Sequence, residues 1–409
     1  MFVARLRLVN FRSYADATVE FAPGLNVIVG PNASGKTNLL EGAFFALRAA
    51  SPRTVKEEKA VRWGASFARA EATVMVRGGE GSHTLTVAYA PGQGKQARVD
   101  GVEVASFDEL RRQGSVLIFV PESLLLVKGS PARRRAHLDA FATGIDPAYE
   151  AGLRDLNVVL KQRNAHLWRV REGAPADSLD AWDRQLARVA LTFEERRRAV
   201  VARLAGRYRE FAAALAPEAG EFSLSLVSQL DSLGAAAEDD VVAALLSRRA
   251  GEIGRGVSGF GPHRDDLRFA EEGSPAPGAG GGPRDLRIFG SQGEQRAAVL
   301  ALLLAERAVA AEVTGDVGTL LLDDVMSELD DARRRLLVGA LTAGGQAIIT
   351  TTNRLYFAAD ELARARVIEL GAQDEQEPDD EPPPGSLADR ERAGHHAPEA
   401  SVEEPPDDG

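Results

Sequence analysis

The stretch "GPNASGKTNLLEG", residues 30–42, follows the apolar run "LNVIV" and leads straight into helix-forming sequence. Gly30, Gly35, Lys36 and Thr37 satisfy G-x-x-x-x-G-K-[ST], the spacing with which a loop between a strand and a helix encloses nucleotide phosphates. In that reading the loop Gly30, Pro31, Asn32, Ala33, Ser34, Gly35 turns backbone N–H groups onto the phosphates, and the helix N-terminus behind it favours their negative charge. Lys36 reaches the β- and γ-phosphates, and the Thr37 hydroxyl takes one position on magnesium. The glycines permit the backbone angles and the close approach. The stretch predicts binding of ATP or GTP with Mg2+ in an α/β fold.

The chain has 409 residues, more than one hydrophobic core usually serves, so two packed units with appendages are expected. It has no cysteine, which excludes disulfides and thiolate metal sites and fits a cytoplasmic location. The opening "MFVARLRLVNFRSY" alternates like a strand, and neither a signal-peptide core nor an apolar run long enough for a membrane span is expected. A net charge of -11 argues against a nucleic-acid binder only until it is divided along the chain. From Gly371 onward lie 13 of the 60 acids and 2 of the 49 bases, which leaves 47 of each in the body. The same segment, 371–409, holds 7 of the 20 prolines and is expected to be a disordered acidic tail.

Residues 1–125 read as short strands around the phosphate loop: "LRLVNF", "ATVEFA", "LNVIVG", "ATVMVRG", "TLTVAY" and "SVLIFV". The texture then changes to long helices over 126–255. Trp182, Leu186, Val189, Phe193, Val200, Leu204, Tyr208, Phe211 and Leu215 form an amphipathic stripe, and Leu153, Leu156, Leu160 and Leu167 supply its partner in a short antiparallel helical arm. Strands return over 256–370, where "DLRFA" and "DLRIF" flank a loop rich in Gly and Pro. A helix, the buried-strand run "TLLLDDV", another helix and the strand "QAIITTT" complete a nucleotide core that the helical insertion divides.

A phosphate loop needs a second acidic site, and "TLLLDDVMSELDD" supplies it at the end of an apolar strand. Asp323 is expected to hold the magnesium, and Asp324 to act as the base that polarises the attacking water; Lys36 and Asp324 are thus the catalytic candidates. Ser291, Gln292, Gly293 and Glu294 stand directly before a helix, a second anion-binding geometry, although a serine there is ordinarily an N-cap.

Phosphate loop, S-x-G-[QE] segment, acidic pair and "SELD" loop, in that order around a helical insertion, resemble the ABC-type ATPases of chromosome maintenance. The segments "NFRSY", "SPRT", "VPESLLLVKGSPARRRAHLD", "LKQRN", "GPHRDDL", "SQGEQR" and "LLLDDVMSELD" are similar to those of the RecF family of bacterial recombination mediators, over everything except the tail. That resemblance implies an ABC-type ATPase head of mixed sheets, split by a short helical arm (lobe II), that dimerises around two ATP molecules. It implies that Ser291 and Gly293 of one protomer grip the γ-phosphate held by Gly30–Thr37 of the other. Ser327 and Asp330 of the "SELD" loop would cross the same interface, and Arg12 and Asn38 would join the nucleotide set. It further implies DNA at gaps and duplex junctions, work with RecR and RecO, and help for RecA in loading onto single strands.

Departures from the wider pattern matter. Asp324 stands where many ABC enzymes have Glu, and Thr351 or Thr352 stands in the place of the switch histidine. Glu294 replaces a common Gln, and Glu122 falls in the neighbourhood of the glutamine expected between core and arm. Together these predict slow hydrolysis and an ATP-gated clamp. For DNA, residues 156–171 carry Lys161, Arg163, Arg169 and Arg171, and 196–209 carry Arg196, Arg197, Arg198, Arg203, Arg207 and Arg209, neither stretch crossing its bases with acids. Lys161, Arg163, Arg197, Arg203 and Arg207 are the candidate DNA contacts, against the reading of a solvated helix face. Arg133, Arg134 and Arg135 leave the same pair of readings open. His263 reads either as a contact to nucleotide or DNA or as a turn histidine bonded to nearby backbone. The rival classes are a nucleotide-gated adaptor without significant turnover and the nucleotide-binding subunit of a transporter.

Overall fold

The structure, a computed structural model, describes residues 1–76, 81–234, 237–275, 282–342 and 344–371. Residues 1–372 form one compact unit. The expected acidic tail and the middle of the Gly/Pro loop lie outside the described residues.

Five parallel strands make the central sheet, in the order Arg366–Glu369, Leu25–Val29, Gln346–Thr351, Thr319–Leu322, Val116–Phe119. Their runs are apolar throughout because both faces are covered. Ile28, Leu321 and Ile348 face one core, with Phe11, Phe45, Leu85 and Val87. Their neighbours Val27, Leu320, Leu322 and Ile349 face the other. The first core is closed by a six-stranded antiparallel sheet, ordered Tyr14–Glu20, Phe2–Phe11, Ala68–Met75, Ser82–Ala90, Gly94–Val99, Val102–Glu103, with the helix Lys36–Arg48 packed between the sheets. Each fully buried aromatic or aliphatic side chain there contributes about 1.5–3 kcal/mol.

On the opposite face lie the helix Gln292–Thr314 and, against it, the 36-residue helix Asp180–Leu215. The apolar stripe read from the sequence is the buried side of that long helix: Leu186, Phe193, Leu204, Tyr208 and Leu215 are almost wholly inaccessible. The helix Pro147–Arg171 runs antiparallel to it, with Tyr149 and Phe193 ring centroids 4.9 Å apart near one end and Arg163 bonded to Asp183 near the other. The core therefore continues from the central sheet into the helical insertion without a break near residue 126.

Three local readings are corrected. "DLRIF" is not a strand: Pro283–Asp285 pairs with Asp266–Pro275, and Leu286–Phe289 is a helical turn that Asp285 caps through the Arg287 N–H. The insertion is not wholly helical, since Glu221–Val227 adds an antiparallel strand to Asp266–Pro275. A last strand, Arg366–Glu369, joins the edge of the central sheet beside the strand that leads into the phosphate loop.

Candidate functional site

The strands of a parallel sheet deliver their C-terminal ends to one edge, and ligands bind there. Four segments reach that edge here: the phosphate loop after Val29, the acidic pair after Leu322, Thr350 and Thr351, and Pro121–Leu124 after Phe119. Gly30 has no room for a side chain, because a Cβ there would stand 2.6 Å from Ser34 Oγ and 2.8 Å from the Leu370 carbonyl. Ala33 and Gly35 take φ of 66° and 90°, so the loop curls left-handed before Lys36 opens the helix. Lys36 is almost fully buried, and its Nζ donates to the carbonyls of Gly30 (2.8 Å) and Pro31 (2.6 Å). Burial lowers its pKa, against the opposing pull of Asp324 and Asp323. Ser34 Oγ is buried in the loop without a hydrogen-bond partner.

The Thr37 hydroxyl meets both carboxylate oxygens of Asp323, at 3.0 and 2.8 Å. Thr350, fully buried, donates its hydroxyl to Asp323 Oδ1 at 2.7 Å and accepts the Asp324 N–H at 3.0 Å. Asp324 adopts φ 46°, a left-handed backbone that non-glycine residues rarely take, so its side chain leaves the strand direction. Ser327 donates to Asp324 Oδ2 at 3.1 Å, while Oδ1 is buried without a partner. Burial raises the Asp324 pKa; the Ser327 hydrogen bond opposes it, Asp323 adds to it and Lys36 opposes it. A carboxylate so placed is a stronger proton acceptor when ionised. Among the described residues no cluster of three or more His, Cys, Asp or Glu forms a metal cage. A hydroxyl beside one carboxylate is the donor set that suits magnesium when phosphates and water complete its shell.

The threonine that meets the acidic pair is Thr350, which no motif in the sequence marks, rather than Thr351 or Thr352. Neither of those meets the acidic pair: the Thr351 hydroxyl bonds the backbone of Asn353, and Thr352 is exposed. "NFRSY" is tied to the loop by Asn38 Nδ2 donating to Ser13 Oγ (2.9 Å) and the Tyr14 hydroxyl donating to the Gly35 carbonyl (3.1 Å). Arg12 forks onto fully buried Glu41 at 3.0 and 2.6 Å, and Ser51 and Arg53 complete that carboxylate's partners. Arg12 thus braces the helix behind the phosphate loop. Arg53 also approaches Glu122 at 3.6 Å, which brings Glu122 to this edge with one buried oxygen unpartnered.

Ser291 caps the helix Gln292–Thr314 by accepting the Glu294 N–H (3.2 Å), and Glu294 accepts the Ser291 N–H in return (2.6 Å). Arg284 holds the other Glu294 oxygen at 2.6 Å. A glutamate at this position is therefore a capping-box residue with its own cation. Ser291, Gln292 and Gly293 are exposed. Among the described residues no hydrogen bond or ion pair joins them to their own chain's phosphate loop. Asp330, also exposed, accepts the Arg333 N–H at 2.9 Å as a helix cap, and an ion pair between Arg296 and Glu328 ties the "SELD" loop to the Ser291 helix.

Two expected DNA contacts are overturned. Arg163 is wholly buried, donating to Asp183 (2.7 Å), Glu252 (2.6 Å) and Ser258 (2.7 Å). Arg197 is 1% exposed and bonds Asp139 (2.8 Å), Asp265 (3.1 Å) and the Pro262 carbonyl (2.6 Å). In both guanidinium groups each of the three nitrogens bonds a partner inside the protein, Tyr149 taking Arg197 Nε, and a cation enclosed in this way cannot reach DNA phosphate. Arg207 pairs with Glu312 and Glu210, which reduces its local field, and Arg134 is buried on Asp266. Lys161 and Arg203 remain exposed. His263 Nε2 donates to the Ser258 carbonyl (3.0 Å), and burial lowers its pKa to about 4, so it is a neutral turn residue. "GPHRDDL" is a structural hub: Pro262, Asp265 and Asp266 receive Arg197 and Arg134, while Arg264 and His263 close on Ser258.

Residues 2–372 match the family described as RecF/RecN/SMC N terminal domain. A DNA replication and repair protein RecF from Heliobacterium modesticaldum is 36% identical over 376 residues, 91% of this chain and 98% of that protein. The RecF of Lacticaseibacillus casei is 36% identical over 358 residues, 85% of this chain and 92% of its own. A solved structure of the recombination mediator protein RecF with ATP in the RecFOR pathway aligns with TM-score 0.73 at 27% identity, covering 86% of this chain and 92% of that one. An Smc head bound to the C-winged helix domain of ScpA aligns at TM-score 0.51 and 15% identity, covering 87% and 91%, which shows the head fold alone.

Proposed function

The chain belongs to the RecF family of DNA replication and repair proteins, and on that premise we propose that it is an ATP-gated DNA-binding recombination mediator that turns ATP over slowly. The observation that carries this reading is that, among the described residues, the Ser291 segment makes no hydrogen bond or ion pair with the phosphate loop of its own chain. Lys36, Thr37, Asp323 and Asp324 converge on the phosphate loop, while Ser291 and Gly293 stand capped, exposed and unused by the same chain. Ile288 and Phe289, 61% and 40% exposed, lie just ahead of them as apolar surface for a second copy. ATP would be held by the loop of one protomer and the Ser291 helix of its partner, with Asp330 at the same seam. Lobe II, residues 126–255, would then stand beside bound DNA, with RecR and RecO as partners and RecA loading as the outcome.

Lys36, released from the Gly30 and Pro31 carbonyls, would pair with β- and γ-phosphate oxygens, and the orphaned Ser34 hydroxyl would gain a partner. Thr37 and Asp323 would hold magnesium, which when bound supplies charge neutralisation across the phosphates. Asp324 would accept the proton of the attacking water, oriented by Ser327 and by the Thr350 bond to its N–H. Its side chain is one methylene shorter than glutamate, which favours slow turnover and keeps the reading of a clamp without significant hydrolysis open. Neutral His263 and paired Arg197 take no part in the DNA contact. Phosphate contacts by exposed arm cations such as Lys161 and Arg203 would give little sequence preference and strong salt dependence.

Light scattering of the full chain with ATP or ADP, with and without duplex DNA, tests the reading. Dimers that form with ATP and persist on DNA support it, and a monomer under every condition refutes it. Phosphate release measured in the same samples separates a slow ATPase from a clamp that does not hydrolyse.

A further inference from the structure

Trp63 is 98% exposed, although a tryptophan ordinarily buries about 150–250 Å² in a core or interface. It does not hang on a loose loop. Ala60 is fully buried, the Arg12 N–H donates to its carbonyl at 2.8 Å, Phe11 and Val61 form a β-bridge, and the Arg62 N–H donates to Asn10 at 2.8 Å. The Ala65 N–H then closes onto the Arg62 carbonyl at 3.0 Å, and Gly64 at φ 80° completes a tight turn with Trp63 at its tip. Main-chain bonds on both sides thus hold the backbone that carries the indole, while the ring's own contacts contribute almost nothing to folding.

The segment that carries Trp63 is rich in cations. Lys56 and Lys59 are exposed and Arg62 is half-buried, and none of the three has an ion pair among the described residues. Of the neighbouring acids, Glu57 is engaged by Lys95, which leaves Glu58. Val55, also 98% exposed, adds an apolar surface on the same segment. An exposed indole on a turn whose backbone is held, with unpaired cations on the same segment, is an arrangement that stacks an unpaired base while holding the adjoining phosphates. We propose that the turn carrying Trp63 is a stacking site for an unpaired base of DNA, with Lys56, Lys59 and Arg62 on the flanking phosphates. The inference rests on the DNA-binding reading above and deepens it: this surface holds the single-stranded side of a gap or junction. Double-stranded DNA offers it no free base face, so the site would distinguish a junction from continuous duplex.

The test is binding of the full chain, with ATP, to a labelled duplex bearing a 20-nucleotide thymine overhang and to a fully paired duplex of equal length. Trp63→Ala is expected to weaken overhang binding about tenfold, Trp63→Phe to retain most of it, and neither to change binding to the paired duplex. Both variants should melt with the wild type, since the side chain is solvent-exposed. The overhang should also quench tryptophan emission in the wild type more than in Trp63→Phe, a difference that isolates one of the three tryptophans. Equal affinities of wild type and Trp63→Ala for the overhang overturn the inference, as does an equal loss on both duplexes. Quenching of Trp63 by ATP or ADP without DNA also overturns it, by assigning the indole to the adenine of the nucleotide. A wild type that binds neither duplex refutes the DNA-binding reading itself, a result distinct from all of these.

Discussion

Replacing Arg163 by alanine separates a structural arginine from a DNA-binding one. Its guanidinium bonds Asp183, Glu252 and Ser258, and Arg163, Asp183 and Glu252 are all 0% exposed. Removing the cation leaves two buried carboxylates. Asp183 keeps Arg249 at 2.5 Å and Glu252 keeps the Gly259 N–H at 2.6 Å, so neither is stripped of every partner. Breaking a buried pair from one side costs about 3–5 kcal/mol. For the unit formed by residues 1–372, an unfolding entropy of about 2.1 cal/mol/K per residue sums to roughly 0.8 kcal/mol/K, so that cost lowers Tm by about 4–6 °C. Calorimetry reads the shift, and titration of duplex DNA across salt, well below the new Tm, reads the contact count. The expected result is a lower Tm with an unchanged salt slope. A variant that melts with the wild type but loses about one unit of slope would place Arg163 on DNA phosphate and refute the burial argument.

Other expected outcomes concern the two halves of the site and the hub between head and insertion. Asp324→Asn keeps ATP binding and slows phosphate release by about a hundredfold or more, because the amide keeps the shape and cannot accept a proton; undiminished release removes Asp324 from the base role. Thr350→Val leaves ATP affinity near wild type and lowers turnover by about tenfold, with Thr350→Ser restoring it, since only the hydroxyl joins Asp323 to the Asp324 N–H; a valine variant with normal turnover shows that link to be incidental. Ser291→Arg leaves ATP binding by the monomer intact and prevents ATP-induced dimers in sedimentation, whereas profiles identical to wild type contradict a site shared between copies. His263, held neutral with its pKa lowered to about 4, contributes stability that is complete above its unfolded value near 6.5 and is lost as pH falls from there toward 4, by up to about 3 kcal/mol. Urea midpoints of wild type and His263→Gln at pH 7.5 and 5 check this, and equal pH dependence in the two proteins would contradict it.

The phosphate loop, the acidic pair and the Ser291 segment were legible in the sequence because each is contiguous. A loop of this kind holds phosphate by successive backbone N–H groups and by the lysine and threonine next to them, so the spacing is itself the chemistry. The long helix was legible for a similar reason: a 3.6-residue period over Asp180–Leu215 records which side is buried, whatever covers it. The fate of single side chains depended on partners far away in the chain. Arg163 and Lys161 look alike in sequence, yet one is enclosed by Asp183 and Glu252 while the other faces solvent. Thr350 gains its role only when two parallel strands, distant along the chain from the phosphate loop, end at the same edge. Sequence by itself determined where phosphate chemistry is encoded and which helix faces are apolar. Only the tertiary structure decided which cations remain free to act, because a charge leaves water only where the fold brings an opposite charge to meet it.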